Sequence, residues 1–345
     1  MEQRIGKQTV ELKNPVYIRA FAAIAGTKEQ EGPLGECFDV TMPDSEWGEE
    51  TWEKTESKMQ KEAVRLAIQK AGLTSKDIGY AFGGDLLNQC IGAGFGLREL
   101  KIPFFGIYGA CSTMIEGISL ASMVVDGGFA QNAAAVTSSH FCTAERQYRT
   151  PLNYGGQRTP TAQWTVTGSG SAVVSRENGD VRVTHITTGK IMDMGVKDPN
   201  NMGGAMAPAA LSTLCAHFQD TGYSPKDYDL ILTGDLGTVG GEILVELMEK
   251  EGYDISKNYQ DCGCMIYDLE KQDVHAGGSG CGCIGSVLCG YILEEMQKGR
   301  WNTVLAVGTG ALLSPTSNLQ GESVPGIAHA VRLEAVKKGE SSCSI

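Results

Sequence analysis

The chain has 345 residues, with 29 basic and 41 acidic side chains and a formal net charge of −12. This length predicts one large or two medium domains, and the acidic balance without a Lys/Arg run argues against nucleic acid as a partner. The longest apolar stretch, near residues 284–293, is shorter than the roughly 18–20 residues that span a bilayer. Residues 1–10 lack the apolar core of a secretory signal. We therefore expect no transmembrane segment and synthesis in the cytoplasm.

The chain contains eleven cysteines, and the odd number without a secretory signal favours reduced thiols. Two Cys-Gly-Cys pairs, Cys262/Cys264 and Cys281/Cys283, raise the question of a four-thiolate metal site. Zinc sites usually place about two to four residues between paired ligands, and these pairs have only one. We therefore predict glycine-lined turns at these pairs and no metal.

The first half of the chain alternates strands and helices. In chain order the predicted elements are a strand at 16–26, a helix at 59–71, a strand that ends at 84–86, a helix at 112–125 and a strand at 133–137. Strands that alternate with helices predict an α/β fold with mainly parallel sheets covered by helices.

The second half repeats this order. Residues 72–86 (GLTSKDIGYAFGGDL) and 222–236 (GYSPKDYDLILTGDL) share six identities at a constant offset of 150. The second set of predicted elements is a strand at 181–189, a helix at 207–221, a strand that ends at 234–236, a helix at 284–297 and a strand at 304–307. About twenty extra residues lie between positions 239 and 275. We predict a duplicated βαβαβ unit, with halves at residues 1–180 and 181–345.

Cys111 lies where a strand leads into a helix, in the segment Gly109-Ala110-Cys111-Ser112. The free amides and positive dipole of a helix N-terminus lower the pKa of a thiol and attract carboxylates. Cys111 is therefore a candidate nucleophile if a base lies within reach. The alternative is a small buried residue that lets the helix approach its sheet.

The chain resembles the thiolase superfamily of thiolases and β-ketoacyl synthases. The resemblance depends on Ala110-Cys111-Ser112, the glycine-rich turn at 275–280 and the late loop at 308–310. It implies two repeats stacked as an α/β/α/β/α sandwich, with Cys111 at the position that is acylated in the family. The catalytic His of the family maps onto Thr233 or Gly234, and its companion Asn maps onto Gly278. Two of the three catalytic side chains are thus absent, and so is the second Cys that thiolases carry in the late loop.

Longer segments resemble one branch of the superfamily, the stage V sporulation protein AD family of spore-forming bacteria. These segments lie at residues 32–35, 84–89, 109–113, 125–130, 143–147, 205–210 and 310–316. Members are associated with the uptake of dipicolinic acid, pyridine-2,6-dicarboxylate, into the developing spore, within a membrane-associated complex. The resemblance implies a non-catalytic binding protein, peripheral to the spore inner membrane on its cytoplasmic or forespore side, without a cofactor. It implies other SpoVA-type membrane proteins as partners, and the superfamily adds a two-fold homodimer as an option.

A small rigid dianion needs hydrogen-bond donors and positive potential, but no proton-transfer group. The predicted ligand-binding residues are Cys111, Ser112, Ser138, Ser139, His140, Arg146, Gly278, Ser279 and Asp85. His140 is the histidine that we expect to face the cavity. For Arg146 the alternative is a surface ion pair. For Asp85, whose copy is Asp235, the alternatives are a role in the fold or a contact to Ca²⁺ that accompanies the ligand.

The sequence also allows a different class of function, an acyltransferase or condensing enzyme. In that hypothesis Cys111 is the nucleophile, and His140 or His275 acts as a relocated base. We predict the non-catalytic role, because the positions of the family's His and Asn have lost both side chains.

Overall fold

A computed structural model describes residues 3–148 and 158–336. Its strands are β1 (Thr9–Glu11), β2 (Tyr17–Ala25), β3 (Val40–Thr41), β4 (Tyr80–Gly84), β5 (Phe104–Gly106), β6 (Asn132–Ser139), β7 (Trp164–Thr165), β8 (Gly168–Ser175), β9 (Val181–Thr187), β10 (Leu230–Thr233), β11 (Tyr259–Asp261), β12 (Gly278–Ser279), β13 (Thr303–Ala311) and β14 (Gly326–Ala335). Its α-helices are α1 (Thr27–Gln30), α2 (Trp52–Lys70), α3 (Ile91–Leu97), α4 (Thr113–Asp126), α5 (Phe141–Tyr148), α6 (Met202–Thr221), α7 (Gly237–Lys250), α8 (Cys262–Met265), α9 (Cys281–Val287), α10 (Leu293–Gln297) and α11 (Pro315–Leu319). A π-helical turn at Leu288–Ile292 joins α9 to α10.

One large sheet runs through the molecule in the order β11-β10-β13-β14-β9-β2-β8-β6-β4-β5, with β1 beside β9 and β3 beside β2. The first half-sheet (β5-β4-β6-β8-β2) and the second (β11-β10-β13-β14-β9) have the same order of equivalent strands. They meet where β2 pairs with β9, through Tyr17↔Arg182 and Ile18↔Val181. The duplicated α/β fold is therefore confirmed.

The expectation of mainly parallel sheets is wrong. The outer strands of each half-sheet are parallel, as in the pairing of β4 with β5 and β6, and so are β2 and the short strand β3. The long strands β8 and β14 run antiparallel to their neighbours on both sides. The chain passes between the half-sheets after β8, but the two halves share one hydrogen-bonded sheet. The division of the chain into two domains at residue 180 stays a prediction.

The repeated sequence motif forms the same turn in both halves. In the first copy, the backbone N–H and the hydroxyl of Thr74 donate to Asp77, both at 2.7 Å. In the second copy, Ser224 makes the same two bonds to Asp227, at 2.7 and 2.8 Å. A short helical turn with this capping box leads into β4 or β10 in each half.

The elements stack in five layers. Helices α2 and α3 cover the outer face of the first half-sheet, and α6 and α7 cover that of the second. Helix α4 contacts both half-sheets, and with α9 it forms the central layer. Glycine permits the closest contact here, because a Cβ on Gly170 of β8 would lie 2.0 Å from the Gly285 carbonyl oxygen of α9. Within the described residues, no helix is long and apolar enough to span a membrane.

Two helices begin earlier than the hydrophobic pattern predicts. Helix α2 starts at Trp52 because the Thr51 side chain accepts a bond from Lys54 N at 3.3 Å. Helix α6 starts at Met202 because the Asn201 side chain accepts from Gly204 N at 3.2 Å. The extra residues of the second half form α7, which is longer than its counterpart α3, and the segment from α8 to β12.

Candidate ligand site around Cys111

A cavity opens beside Cys111, next to the N-terminal end of α4 in the central layer. We call it the Cys111 cavity. Its described lining residues are Leu86, Tyr108, Ala110, Cys111, Ala144, Glu145, Tyr148, Thr165, Pro199, Asn200, Met202, Ser279, Ala311 and Leu313. Both halves of the chain contribute, and the lining combines apolar side chains with hydroxyl, amide and carboxyl groups. None of the described lining residues is Lys or Arg.

Asp235 lies directly behind the Cys111 thiol. One carboxylate oxygen of Asp235 accepts bonds from the Thr309 hydroxyl at 2.7 Å, and the other from Gly280 N at 2.9 Å and the Ser279 hydroxyl at 3.1 Å. The Cys111 thiol also donates to this carboxylate. Asp235 is 1% exposed, so a single buried carboxylate connects the start of α4 with three segments of the second half.

Of the two alternatives for Cys111, the structure agrees with the small buried residue, because the thiol is 5% exposed. Burial raises the pKa of this thiol well above its usual range, and the neighbouring Asp235 carboxylate raises it further. These effects outweigh the helix N-terminus, whose dipole acts in the opposite direction. Burial also raises the pKa of Asp235. At neutral pH Cys111 is therefore a protonated thiol.

The positions of the family's catalytic His and Asn have other functions in this chain. The Thr233 hydroxyl donates to Asp261 at 2.6 Å, and Asp261 also accepts from Leu236 N at 2.8 Å and Gly237 N at 3.0 Å, where α7 begins. The Gly278 carbonyl accepts from the Gln163 side chain at 2.8 Å. Neither position presents a side chain that accepts a proton from Cys111.

Hydrogen-bond donors line the opposite wall of the Cys111 cavity. The Tyr108 and Tyr148 hydroxyls are 3.3 Å apart, and Tyr148 donates to the Leu86 carbonyl at 2.7 Å. Burial raises the pKa of both tyrosines, so both hydroxyls remain protonated. Asn200 and Met202 bring the N-terminus of the 20-residue helix α6 to the cavity. The positive end of its dipole favours an anion there.

Of the predicted ligand contacts, Cys111 and Ser279 line the cavity. Gly278 precedes Ser279 in β12 and lies outside the wall. The Ser112 hydroxyl is directed to the Gly109 carbonyl at 2.7 Å. Ser139 donates to the Val166 carbonyl at 2.7 Å and accepts from Gly282 N at 3.0 Å. The hydroxyls of Ser112 and Ser139 are thus bonded within the fold.

The expectation that His140 faces the Cys111 cavity is wrong. Its Nε2 lies 2.9 Å from the Ser45 carbonyl oxygen, and its Nδ1 accepts from Cys142 N at 3.2 Å. His140 instead lines a separate cavity with Trp164 and Thr167. His275 is 3.4 Å from Asp273 and is also absent from the wall. No histidine is present among the described lining residues of the Cys111 cavity.

Arg146 lies on the surface. It forms an ion pair with Glu53 and stacks over the Trp52 ring, and half of its side chain is exposed. Asp85 is buried outside the cavity and accepts bonds from Leu87 N at 2.8 Å and Ala93 N at 2.7 Å. These positions agree with the alternatives stated for them, a surface ion pair and a role in the fold.

A second buried carboxyl group, Glu56, lies near Asp85. The Ser138 hydroxyl donates to Glu56 at 3.0 Å and the Thr143 hydroxyl at 2.7 Å, and Gln60 donates to Ser138 at 2.8 Å. Burial raises the pKa of Glu56 to about 8, and the negative charge of Asp85 contributes to the shift. Burial also raises the pKa of Asp85. Ser138 therefore belongs to this acidic network beneath α2.

The sequence identified neither Glu56 nor the role of Asp235. Glu56 lies three residues before Met59 and seven before Ala63, on the face of α2 that packs against the sheet, and this helical spacing was the available signal for its burial. Asp235 follows Gly234, to which the family's catalytic His maps, and this proximity was the available signal. Within the described residues, no cluster of three or more His, Cys, Asp or Glu side chains is placed to hold a metal ion.

The fold is similar to that of solved thiolase-like enzymes. A variant of OleA from Xanthomonas campestris has a TM-score of 0.61 at 16% identity, over 94% of this chain and 99% of that one. The 3-oxoacyl-[acyl-carrier-protein] synthase III from Aquifex aeolicus VF5 has a TM-score of 0.56 at 13% identity, over 92% of this chain and 99% of that one. The fold therefore defines a thiolase-like protein.

Sequence comparison identifies the family within this class. The chain matches the family described as Stage V sporulation protein AD over residues 6–334. It is 47% identical over 329 residues to Stage V sporulation protein AD of Bacillus subtilis (strain 168), over 95% of this chain and 97% of that protein. The chain belongs to the stage V sporulation protein AD family, as the resemblance in the sequence implied.

The buried carboxyl groups predict how stability depends on pH. In the unfolded chain Glu56 releases its proton above its ordinary pKa of 4.5, whereas the folded protein retains it up to about pH 8. Between these values the unfolded state binds fewer protons, so Glu56 reduces stability by up to about 1.4 kcal/mol per pH unit as the pH rises. Glu56→Gln carries no such proton. Its free energy of unfolding should therefore increase relative to that of the wild type between pH 6 and pH 8.

Urea denaturation at several pH values measures this difference. Glu62→Gln is the matched control, because this residue lies on the same helix, pairs with Arg65 and has 24% of its side chain exposed. Its stability should follow the wild-type pH dependence. If the difference between Glu56→Gln and the wild type does not change with pH, Glu56 is not protonated in the folded state.

Proposed function

We propose that the protein binds dipicolinic acid in the Cys111 cavity, as a non-catalytic component of its uptake into the developing spore. The observation that carries this proposal is a cavity of the thiolase type in which the Cys111 thiol is protonated and the catalytic His and Asn positions hold Thr233, Gly234 and Gly278. Such a site lacks the family's proton-transfer groups but still has a cavity for a ligand. Membership of a family named for sporulation gives the context.

The walls of the cavity suit a flat aromatic acid. Leu86, Ala144 and Leu313 offer apolar surface for a ring, while the side-chain amide of Asn200 offers a donor for a carboxylate oxygen. The N-terminus of α6 adds positive potential at the same wall. These groups bind and orient a ligand without changing it.

The negative charge of dipicolinate must also be compensated when it binds in the cavity. A dianion meets no Lys or Arg among the described lining residues, and the buried Asp235 lies behind the wall. A divalent cation chelated by the ligand removes this repulsion, since it neutralises both ligand carboxylates. We therefore propose that the calcium chelate binds more tightly than free dipicolinate.

Isothermal titration calorimetry with dipicolinate, alone and with equimolar CaCl₂, tests binding. We expect one site per chain and higher affinity with calcium. Asn200→Ala removes a donor from the wall and should weaken binding about tenfold, which corresponds to one hydrogen bond of about 1.4 kcal/mol. The control Asn318→Ala removes an exposed amide on α11 and should bind like the wild type. The absence of binding heat under both conditions would exclude the proposal.

One observation favours a second candidate function, acyl transfer. The hydrogen bond from Cys111 to Asp235 shows where the thiol proton would go. In this reaction the carboxylate takes that proton, the sulfur attacks the thioester carbonyl of an acyl-CoA, and the CoA thiolate leaves and takes up a proton. The raised pKa of Cys111 opposes the step, because little thiolate is present at neutral pH.

Intact-protein mass spectrometry after incubation with acetyl-CoA separates the two candidates. We expect no stable adduct on the wild type. Cys111→Ala and Cys281→Ala form a matched pair, since both thiols are buried in the same small cluster. An added acetyl mass that Cys111→Ala loses and Cys281→Ala keeps would establish the enzyme and overturn the non-catalytic role.

We further propose a homodimer through β5. Among the described strands β5 pairs only with β4, so one of its sides has no strand partner. Several exposed apolar side chains surround this edge, namely Ile91 (37% exposed), Phe95 (58%), Phe104 (38%), Phe105 (54%) and Tyr108 (44%). An apolar edge strand favours pairing with another strand, and a second copy of the chain related by a two-fold axis presents the same strand edge.

Association with the spore membrane, in this proposal, occurs through SpoVA-type membrane partners.

Sedimentation velocity measures the oligomeric state. The wild type should sediment as a dimer, and Phe105→Lys should shift it to the monomer, because the charge cannot be buried in the interface without a partner. Phe129→Lys is the control. Phe129 is 76% exposed, lies after α4 and should leave the dimer intact. A monomeric wild type at micromolar concentration would contradict the proposal.

A further inference from the structure

The large sheet has a second free end at β11. Among the described strands β11 pairs only with β10, in the parallel register Ile231↔Tyr259, Leu232↔Gln260 and Thr233↔Asp261. The Asn258 carbonyl accepts from Ile231 N at 2.8 Å. Because backbone groups alternate along a strand, the N–H and C=O of the next residue, Tyr259, are directed away from β10. This edge therefore offers backbone hydrogen bonds to another strand.

An open groove lies alongside this edge, between α7 and the segment from β11 to α8. We call it the acidic groove. Its described lining residues are Gly237, Thr238, Gly241, Glu242, Val245, Glu246, Glu249, Tyr259, Gln260, Asp261, Cys264 and Met265. Partly buried Val245, Tyr259 and Met265 form an apolar floor. The groove is separate from the Cys111 cavity and shares no lining residue with it.

The wall of the acidic groove formed by α7 carries three exposed carboxylates. Glu242, Glu246 and Glu249 are four and three residues apart, so they follow one face of the helix. Lys250 pairs with Glu246 at 2.6 Å and does not line the groove. Carboxylates four residues apart on a helix are separated by about 6 Å, close to the roughly 6.6 Å between alternate residues of a strand. Alternate side chains of an added strand therefore match the spacing of the carboxylates.

The two ends of the sheet differ in charge. The cavity beside the exposed apolar residues of the β5 end has mixed charge: its described lining combines four basic side chains (Lys54, Lys58, Lys61 and Arg98) with three acidic ones (Glu49, Glu53 and Glu99). The described lining of the acidic groove contains no Lys, Arg or His. The two ends consequently select different partners, since like charges at an interface are strongly unfavourable.

We infer that the β11 edge and the acidic groove bind an extended basic segment of a partner protein by strand addition. The backbone of the segment pairs with the free side of β11. Alternate Lys or Arg side chains face α7 and reach its carboxylates, while the side chains between them point to the opposite face of the sheet. Backbone pairing supplies the orientation, and the three carboxylates supply the preference for a cationic segment.

Fluorescence anisotropy with a labelled Lys-Val alternating decapeptide tests the inference on the full-length protein. We expect saturable binding that weakens with added salt, and no binding of the Glu-Val decapeptide. The same Lys-Val peptide with alternate amides N-methylated keeps its charge but cannot pair as a strand. It should bind at least tenfold more weakly, and equal binding would overturn the inference.

Charge-reversal variants locate the site. Glu242→Lys combined with Glu246→Lys should weaken binding of the Lys-Val peptide at least tenfold. Glu50→Lys combined with Glu270→Lys changes the net charge equally at exposed positions outside the groove and should leave binding unchanged. Equal losses in both double variants would show attraction by net charge alone and would overturn the inference.

Two further measurements separate strand addition from simple cation binding. Hydrogen exchange of the β11 amides should slow on addition of the peptide, while exchange at β5 should not change. Spermidine at the same total charge should not displace the peptide, because it cannot pair with the backbone. Displacement by spermidine, or protection at β5 instead of β11, would contradict the inference.

Discussion

The buried carboxylate of Asp235 is the constraint on which the rest of the site depends. It accepts bonds from Ser279, Gly280 and Thr309, and the Cys111 thiol donates to it from the first half. Three segments distant from Asp235 in the chain thus converge on one carboxyl group that is 1% exposed. Removal of that group would leave several buried donors without an acceptor, which is far more costly than the loss of one surface bond.

This arrangement also favours the neutral form of the Cys111 thiol. In a thiolase-type site the helix N-terminus and a neighbouring base favour the thiolate. Here the neighbouring group is a carboxylate, and burial adds to its effect, so the neutral thiol is favoured. The thiol serves as a hydrogen-bond donor within the wall.

Much of the fold could be predicted because it depends on local patterns and on a duplication. The Lys-Asp turns at 72–86 and 222–236 follow from capping boxes that are visible in the sequence, and the helix that begins after Cys111 follows from its small and apolar residues. The antiparallel strands β8 and β14 were harder to predict. Gly168–Ser175 is rich in glycine and serine, and it becomes a buried strand only because β2 and β6 lie on its two sides.

The site was less predictable than the fold, and the reason is visible in two residues. Asp85 and Asp235 occupy equivalent positions of the repeat, but Asp85 binds amides of its own loop whereas Asp235 binds groups from other segments. Likewise, His140 follows its strand as expected, and only the placement of Ser45 determines where the ring is directed. Local sequence specifies such a residue but not the distant partner that gives it a role.

The junction between β2 and β9 has a consequence for how the protein is built. Two residue pairs join the half-sheets, and helix α4 contacts both of them. A half produced alone would expose a new strand edge and one apolar face of the central layer, both of which favour aggregation. Each half therefore depends on the other to cover its strand edge and its apolar face, so the halves are not interchangeable with free-standing domains.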